Sequence, residues 1–179
     1  MSKKQYDGVQ VLLHWLVALL ICAAFGLAWT MDDMPLSPAK FKLISWHKWA
    51  GITVLGLVAI RLIWLKIKGA PAADPSLPAW QNKVSTATHH LLYLLMFAMP
   101  LSGWLMSSAK GFSVVYLGLW KLPDLVAKNE ALGDTFKGGH ELFATVLLVL
   151  IGLHAAAALK HHFIDRDSIL ARMVPFLRK

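Results

Sequence analysis

Long apolar runs alternate with short polar segments along the chain, and the Asp, Glu, Lys and Arg positions mark where each run stops. There are 24 uncharged residues between Asp7 and Asp32, 26 between Lys83 and Lys110, and 18 between Glu141 and Lys160. A charge at the bilayer centre is costly and a helical span needs about 20 largely apolar residues, so each gap reads as a transmembrane helix. A fourth run, from Phe41 to Leu65, contains Lys42 and Lys48 in its first turns and has Arg61 near its end. It spans if Arg61 snorkels or finds a partner at the interface. The pattern predicts helices over about 9–31, 41–66, 80–107 and 136–163, forming an all-α membrane four-helix bundle as one domain over residues 1–179.

Prolines and glycines punctuate the connections. Pro35 and Pro38 mark the first loop, and Pro71, Pro75 and Pro78 the second. Gly111, Gly118, Pro123 and Gly133 mark the third, which is long enough to fold over a helix end. Pro100, inside the third helix, predicts a kink.

Composition agrees with this reading. Of 179 residues, 57% are hydrophobic and 16% charged, against about 25% charged in soluble domains. This excludes a soluble core, disorder, collagen and a disulfide scaffold, and the single cysteine, Cys22, allows no intrachain disulfide. The N-terminal run is read as a span, because it exceeds a signal-peptide core and no small-x-small cleavage site follows it.

The net charge of +8 follows from topology. With both termini cytoplasmic, eleven Lys and Arg residues lie inside: Lys3, Lys4, Arg61, Lys66, Lys68, Lys83, Lys160, Arg166, Arg172, Arg178 and Lys179. Seven lie outside, which is the positive-inside bias. No nucleic-acid partner is needed to explain the charge.

Histidines are the unusual feature. Six of the eight, His14, His47, His89, His90, His140 and His154, lie in or at the edge of a predicted span. A histidine in a span points to function because lipid offers its nitrogens no partner, although a hydrogen bond to a neighbouring helix would satisfy any one of them alone. His140 and His154 are 14 residues apart on one helix, on nearly one face and separated by ~21 Å along the axis. Each needs a partner at its own depth if it is to share a haem iron. His47 is the only histidine at the level of His140, whereas His14, His89 and His90 all stand near the depth of His154. Spacing thus gives two haem levels and leaves one ligand open. Zinc fits less well, since it favours three or four clustered ligands. Gly51, Gly152 and the Ser102-Gly103 step offer room for a flat ring, or for ordinary close helix packing.

The strings LLHWL, WHKWAGI, RLIW, HHLLYLLMFAMPLSGWLM and GLHAAAALKHHF, in this order over nearly the whole chain, resemble the bacterial cytochrome b561 family. The resemblance implies a di-haem b protein of the bacterial inner membrane, with His14 and His154 ligating one iron and His47 and His140 the other. It implies oxidoreductase activity, with electrons passing from a periplasmic donor, superoxide in some members, to ubiquinone or menaquinone. A cytochrome subunit relaying electrons for a soluble dehydrogenase or hydrogenase is the alternative. Lys160 departs from the small residue that the family's pattern has before His161.

Three further expectations follow from spacing. Arg61, 14 residues after His47, stands beside the inner haem, where it pairs with a propionate or simply snorkels. His161, seven residues past His154, lies ~10 Å nearer the cytoplasm, placed for contact with a quinone or with lipid phosphate. Lys110, Lys121, Lys128 and Lys137 form a basic cover near the outer haem that would steer an anionic donor. Trp29, Trp46, Trp49, Trp64 and Trp80 read as aromatic belts.

Overall fold

The computed structural model describes residues 5–73 and 77–177. Lys3, Lys4, Pro75, Arg178 and Lys179, used above for topology and loops, lie outside the described residues.

Four long helices dominate: α1 (Gly8–Asp32), α2 (Pro38–Lys68), α3 (Ala79–Ala109) and α4 (Glu130–Lys160). All four are long and apolar enough to cross a membrane. Their starts are set by local chemistry. Asp7 and Gln10 form a reciprocal capping box at the head of α1. Ser37 caps α2 with Pro38 in its first turn, and Asn129 caps α4 through the Leu132 N–H. That Asn129 cap starts α4 six residues before the expected position, since the charges of Glu130 and Asp134 lie in its aqueous first turns. Gly69 ends α2 at φ 73°, a conformation glycine adopts without a side-chain clash.

Backbone contact runs from α1 to α2, α2 to α3 and α3 to α4 among the described residues, with α4 standing off α1 and α2. The shared core is Val17 and Ile21 from α1, Val54 and Val58 from α2, Leu92, Leu95 and Met96 from α3, and Leu147 from α4. Val58 is 0% and Val17 2% exposed, so this apolar layer is sealed. Val54 lies seven residues from both His47 and Arg61, and Leu147 lies seven from both His140 and His154. The layer therefore separates an upper from a lower set of functional side chains. Outward-facing Leu19, Leu94, Leu142, Val149 and Leu153 are exposed and present an apolar surface to lipid.

The third loop has more structure than its length alone predicts. It contains a two-stranded hairpin, β1 (Val115–Tyr116) and β2 (Trp120–Lys121), which pair antiparallel. It is docked on α2 by three bonds: Trp49 Nε1 donates to the Val115 carbonyl (2.7 Å), Lys48 Nζ to the Phe112 carbonyl (3.1 Å), and Tyr116 Oη meets Thr53 Oγ1 (2.9 Å). After α4 the chain makes a π-helical turn (His161–Asp165) and reverses at Arg166, whose φ of 56° is left-handed. It then returns to the bundle, where Trp15 Nε1 donates to the Met173 carbonyl (2.9 Å) and Arg172 to the Ala72 carbonyl (3.1 Å).

Candidate functional site

At the end of the bundle carrying the hairpin, His47 from α2 faces His140 from α4. Their ring centres are 6.2 Å apart and their planes are inclined at 77°. His47 Nδ1 lies 2.9 Å from the Ala24 carbonyl, and His140 Nδ1 lies 3.1 Å from the Met99 carbonyl and 3.0 Å from Ser102 Oγ. A carbonyl only accepts, so both Nδ1 atoms carry the proton and both Nε2 atoms keep a free lone pair. Such carbonyl bonds also fix ring orientation. Gly103 is required by this packing, because a Cβ there would sit 2.9 Å from His140 Cε1. The Ser102-Gly103 step lies within the continuous α3. It seats the His140 ring and supplies it with an acceptor.

At the opposite end, His14 from α1 faces His154 from α4 with ring centres 6.3 Å apart and planes at 71°. His89 from α3 also reaches this level, with its ring centre 5.3 Å from that of His154. Its Nδ1 donates to the Ser85 carbonyl at 2.7 Å. His90, the next residue, is exposed, as a step of ~100° around the helix requires. Arg61 Nη1 is 3.5 Å from His14 Nδ1, and the guanidinium lies over the Tyr93 ring at 5.5 Å. The neighbour of His14 Nδ1 is thus a cation. The Tyr6 phenol, just outside α1, is raised above its ordinary pKa by burial, against the lowering fields of Arg61 and Arg172.

The network at this end closes on Asp7, whose carboxylate accepts from Trp64 Nε1 at 3.1 Å, while Gln10 Nε2 donates to the Gly69 carbonyl at 3.1 Å. Trp49 and Trp64 thus serve as internal ties, unlike the exposed Trp29, Trp46 and Trp80. His161, the first residue after α4, places Nδ1 2.6 Å from Asp167 Oδ2 and 3.2 Å from Asp165 Oδ2. His162 packs edge-on against Phe163. Of the four lysines expected as a basic cover, Lys110 pairs with Asp134 at 2.5 Å and Lys137 with Glu141 at 2.8 Å. Half of that cover is thereby neutralised, and Lys137 belongs to α4 rather than to the loop.

These distances test what the histidine pairs accommodate. An ion bound by two opposed imidazole nitrogens at about 2.0 Å, with each ring centre about 1.1 Å farther out, separates the ring centres by roughly 6.2 Å. Both cross-bundle pairs match that separation, while His89 and His154 are too close for it. The paired helices also stand apart, and a Cβ at Gly26, Gly51 or Gly152 would meet no heavy atom within 4 Å. The residues present therefore fit an iron macrocycle at each level.

Paired histidines at two depths of a four-helix membrane bundle define a membrane cytochrome of the b type. The family model for prokaryotic cytochrome b561 matches residues 5–176, and the chain belongs to that family. It is 33% identical to cytochrome b561 homolog 2 of Escherichia coli over 174 residues, which is 97% of this chain and 93% of the relative. It is 32% identical to cytochrome b561 homolog 1 of the same organism over 172 residues, 96% of this chain and 97% of the relative. It is also 33% identical to a probable superoxide oxidase, CybB, of Yersinia pestis over 177 residues, 96% and 97% respectively. It is a multi-pass protein of the bacterial inner membrane that binds haem b and transfers electrons.

Several site residues were not evident from sequence. Tyr93 lies one helical turn from His89 and shares its face, a spacing that points to it once His89 is placed. Ser102 and Asp167 had no such signal, since their roles depend on a helix contact and a chain reversal.

Proposed function

We propose that this protein carries two haem b groups and passes electrons from a periplasmic donor to membrane quinone. The observation supporting this most strongly is that the ring separations of His47–His140 and His14–His154, 6.2 and 6.3 Å, agree with each other and with axial ligation of one iron. A haem with both axial positions filled supplies outer-sphere one-electron chemistry rather than oxygen binding.

The protein's own groups do the rest. His47 and His140, oriented by the Ala24 and Met99 carbonyls, would hold the outer group. His14 and His154 would hold the inner one, and Arg61 beside His14 would pair with a propionate. The apolar layer around Val17, Val58 and Leu147 excludes water between them. The Arg61 cation beside His14 would stabilise an electron added at that level. That charge would favour electron flow toward the His14–His154 level, which the positive-inside reading puts on the cytoplasmic side. His161, beyond the inner level, contacts the quinone.

Superoxide is the donor that the CybB relative's printed name favours. The test is mixing of purified protein and a short-chain ubiquinone, in air-equilibrated buffer, with superoxide generated enzymatically from dioxygen. The proposal expects quinol formation that depends on the protein and slows as salt rises, because the steered donor is an anion. Absence of quinol formation with every one-electron donor tried would reject the quinone-linked function.

A further inference from the structure

Asp167 is brought back to His161 by the π-helical turn and the left-handed Arg166. Its two oxygens have separate tasks: Oδ2 is 2.6 Å from His161 Nδ1, and Oδ1 accepts from the Ile169 N–H at 2.9 Å. The second bond anchors the carboxylate independently of the histidine, so Asp167 forms a fixed support. The backbone reinforces it, since the Asp167 N–H donates to the His161 carbonyl at 3.1 Å. Asp165 stands 3.2 Å from the same nitrogen and is paired with Lys160 Nζ at 2.6 Å. Lys160 already supplies the cation this second carboxylate requires, which distinguishes the cluster from a metal site. Among the described residues, no charged group of α1, α2 or α3 bonds to the His161 ring.

A carboxylate on Nδ1 determines which nitrogen exchanges protons. It keeps the proton on Nδ1, and the proton gained or lost is the one on Nε2. We propose that Asp167 is the positioning residue that makes His161 a one-sided proton donor to quinone; this rests on the quinone-linked function above. Reduction of a quinone to quinol takes two electrons and two protons. The electrons arrive one at a time from the reduced protein. At one quinone oxygen the His161 Nε2–H bond breaks and an O–H bond forms, leaving neutral imidazole still bonded through Nδ1–H to Asp167. Cytoplasmic water then reprotonates Nε2, and the opposite quinone oxygen takes its proton from solvent.

The experiment uses the full haem-loaded protein, reduced beforehand with limiting dithionite and mixed with a short-chain ubiquinone in a stopped-flow instrument. Reoxidation of the reduced b-type bands is followed for the wild type, His161→Ala, Asp167→Asn and Asp167→Glu, and quinone affinity is measured separately at equilibrium. The inference expects Asp167→Asn to lower the maximal rate by about tenfold or more, on the scale of a general acid losing its support. Quinone affinity and haem spectrum should stay within about twofold, and Asp167→Glu should recover most of the rate. If His161→Ala is slow but Asp167→Asn reacts like the wild type, the positioning role is overturned and the quinone function stands. A loss of rate in Asp167→Asn that Glu does not restore, accompanied by lower thermal stability, also overturns it, because it marks Asp167 as an anchor of the C-terminal segment only. If the wild type itself is not reoxidised by quinone, the function on which the inference rests has failed.

Discussion

The imidazole of His140 rests on Gly103 so closely that a Cβ at position 103 would lie 2.9 Å from Cε1 and 3.2 Å from Nδ1. The same ring is bonded to Met99 and Ser102 on the same helix, leaving it little freedom to retreat. Gly103→Ala is therefore expected to displace an axial imidazole by overpacking, at a cost of about 1–3 kcal/mol. Haem content should fall from two per chain toward one, with a lower thermal midpoint. Unchanged haem content and stability would show that the ring adapts.

Arg61 is expected to raise the potential of the inner haem, because a nearby cation stabilises the added electron. Arg61→Gln should lower that midpoint by roughly 50 mV, about a tenfold change for a one-electron couple. The outer midpoint, ~21 Å away by helix rise, should stay fixed. A redox titration resolving the two components checks this, and a shift of the outer component alone would reverse the assignment of levels.

The three inner-level histidines differ in what their removal should do. His14→Ala is expected to abolish one haem, whereas His89→Ala should retain two, because a 5.3 Å ring separation is too short for shared axial ligation. Pyridine haemochrome analysis of both variants decides between them. Loss of a haem in His89→Ala with retention in His14→Ala would exchange their roles.

The hairpin over the outer end depends on its bonds to α2. Trp49→Phe deletes the indole N–H that donates to the Val115 carbonyl at 2.7 Å, which should cost about 1 kcal/mol. Hydrogen exchange should accelerate across residues 112–121 and little elsewhere. A uniform response would mean that the loop is held by other contacts.

The helices were legible in the sequence because charges are excluded from a span, and the gaps ending at Asp32, Lys110 and Lys160 gave their positions to within a few residues. The start of α4 was not, since its first turns lie outside the apolar stretch and depend on the Asn129 cap. The pairing of His47 with His140 was legible because only one histidine stands at that depth. The partner of His154 was not fixed by spacing, as His14, His89 and His90 share a level. The proposal of His14 over His89 rests on ring separation, 6.3 against 5.3 Å, a quantity set by how α1, α3 and α4 pack rather than by periodicity. The docking of Trp49 on the hairpin and the return of Asp167 to His161 were illegible for a related reason. Each depends on a chain reversal whose geometry, a left-handed residue at Leu117 or Arg166, is not one those residue types announce.

The four histidines are proposed to hold two haems, one at each level. Haem and protein should be quantified together on the purified, haem-replete wild type, alongside His47→Ala. The ratio is expected to be two for the wild type and one for the variant, with reduced b-type bands in both. A wild-type ratio of one, or a His47→Ala protein that still holds two, would contradict it.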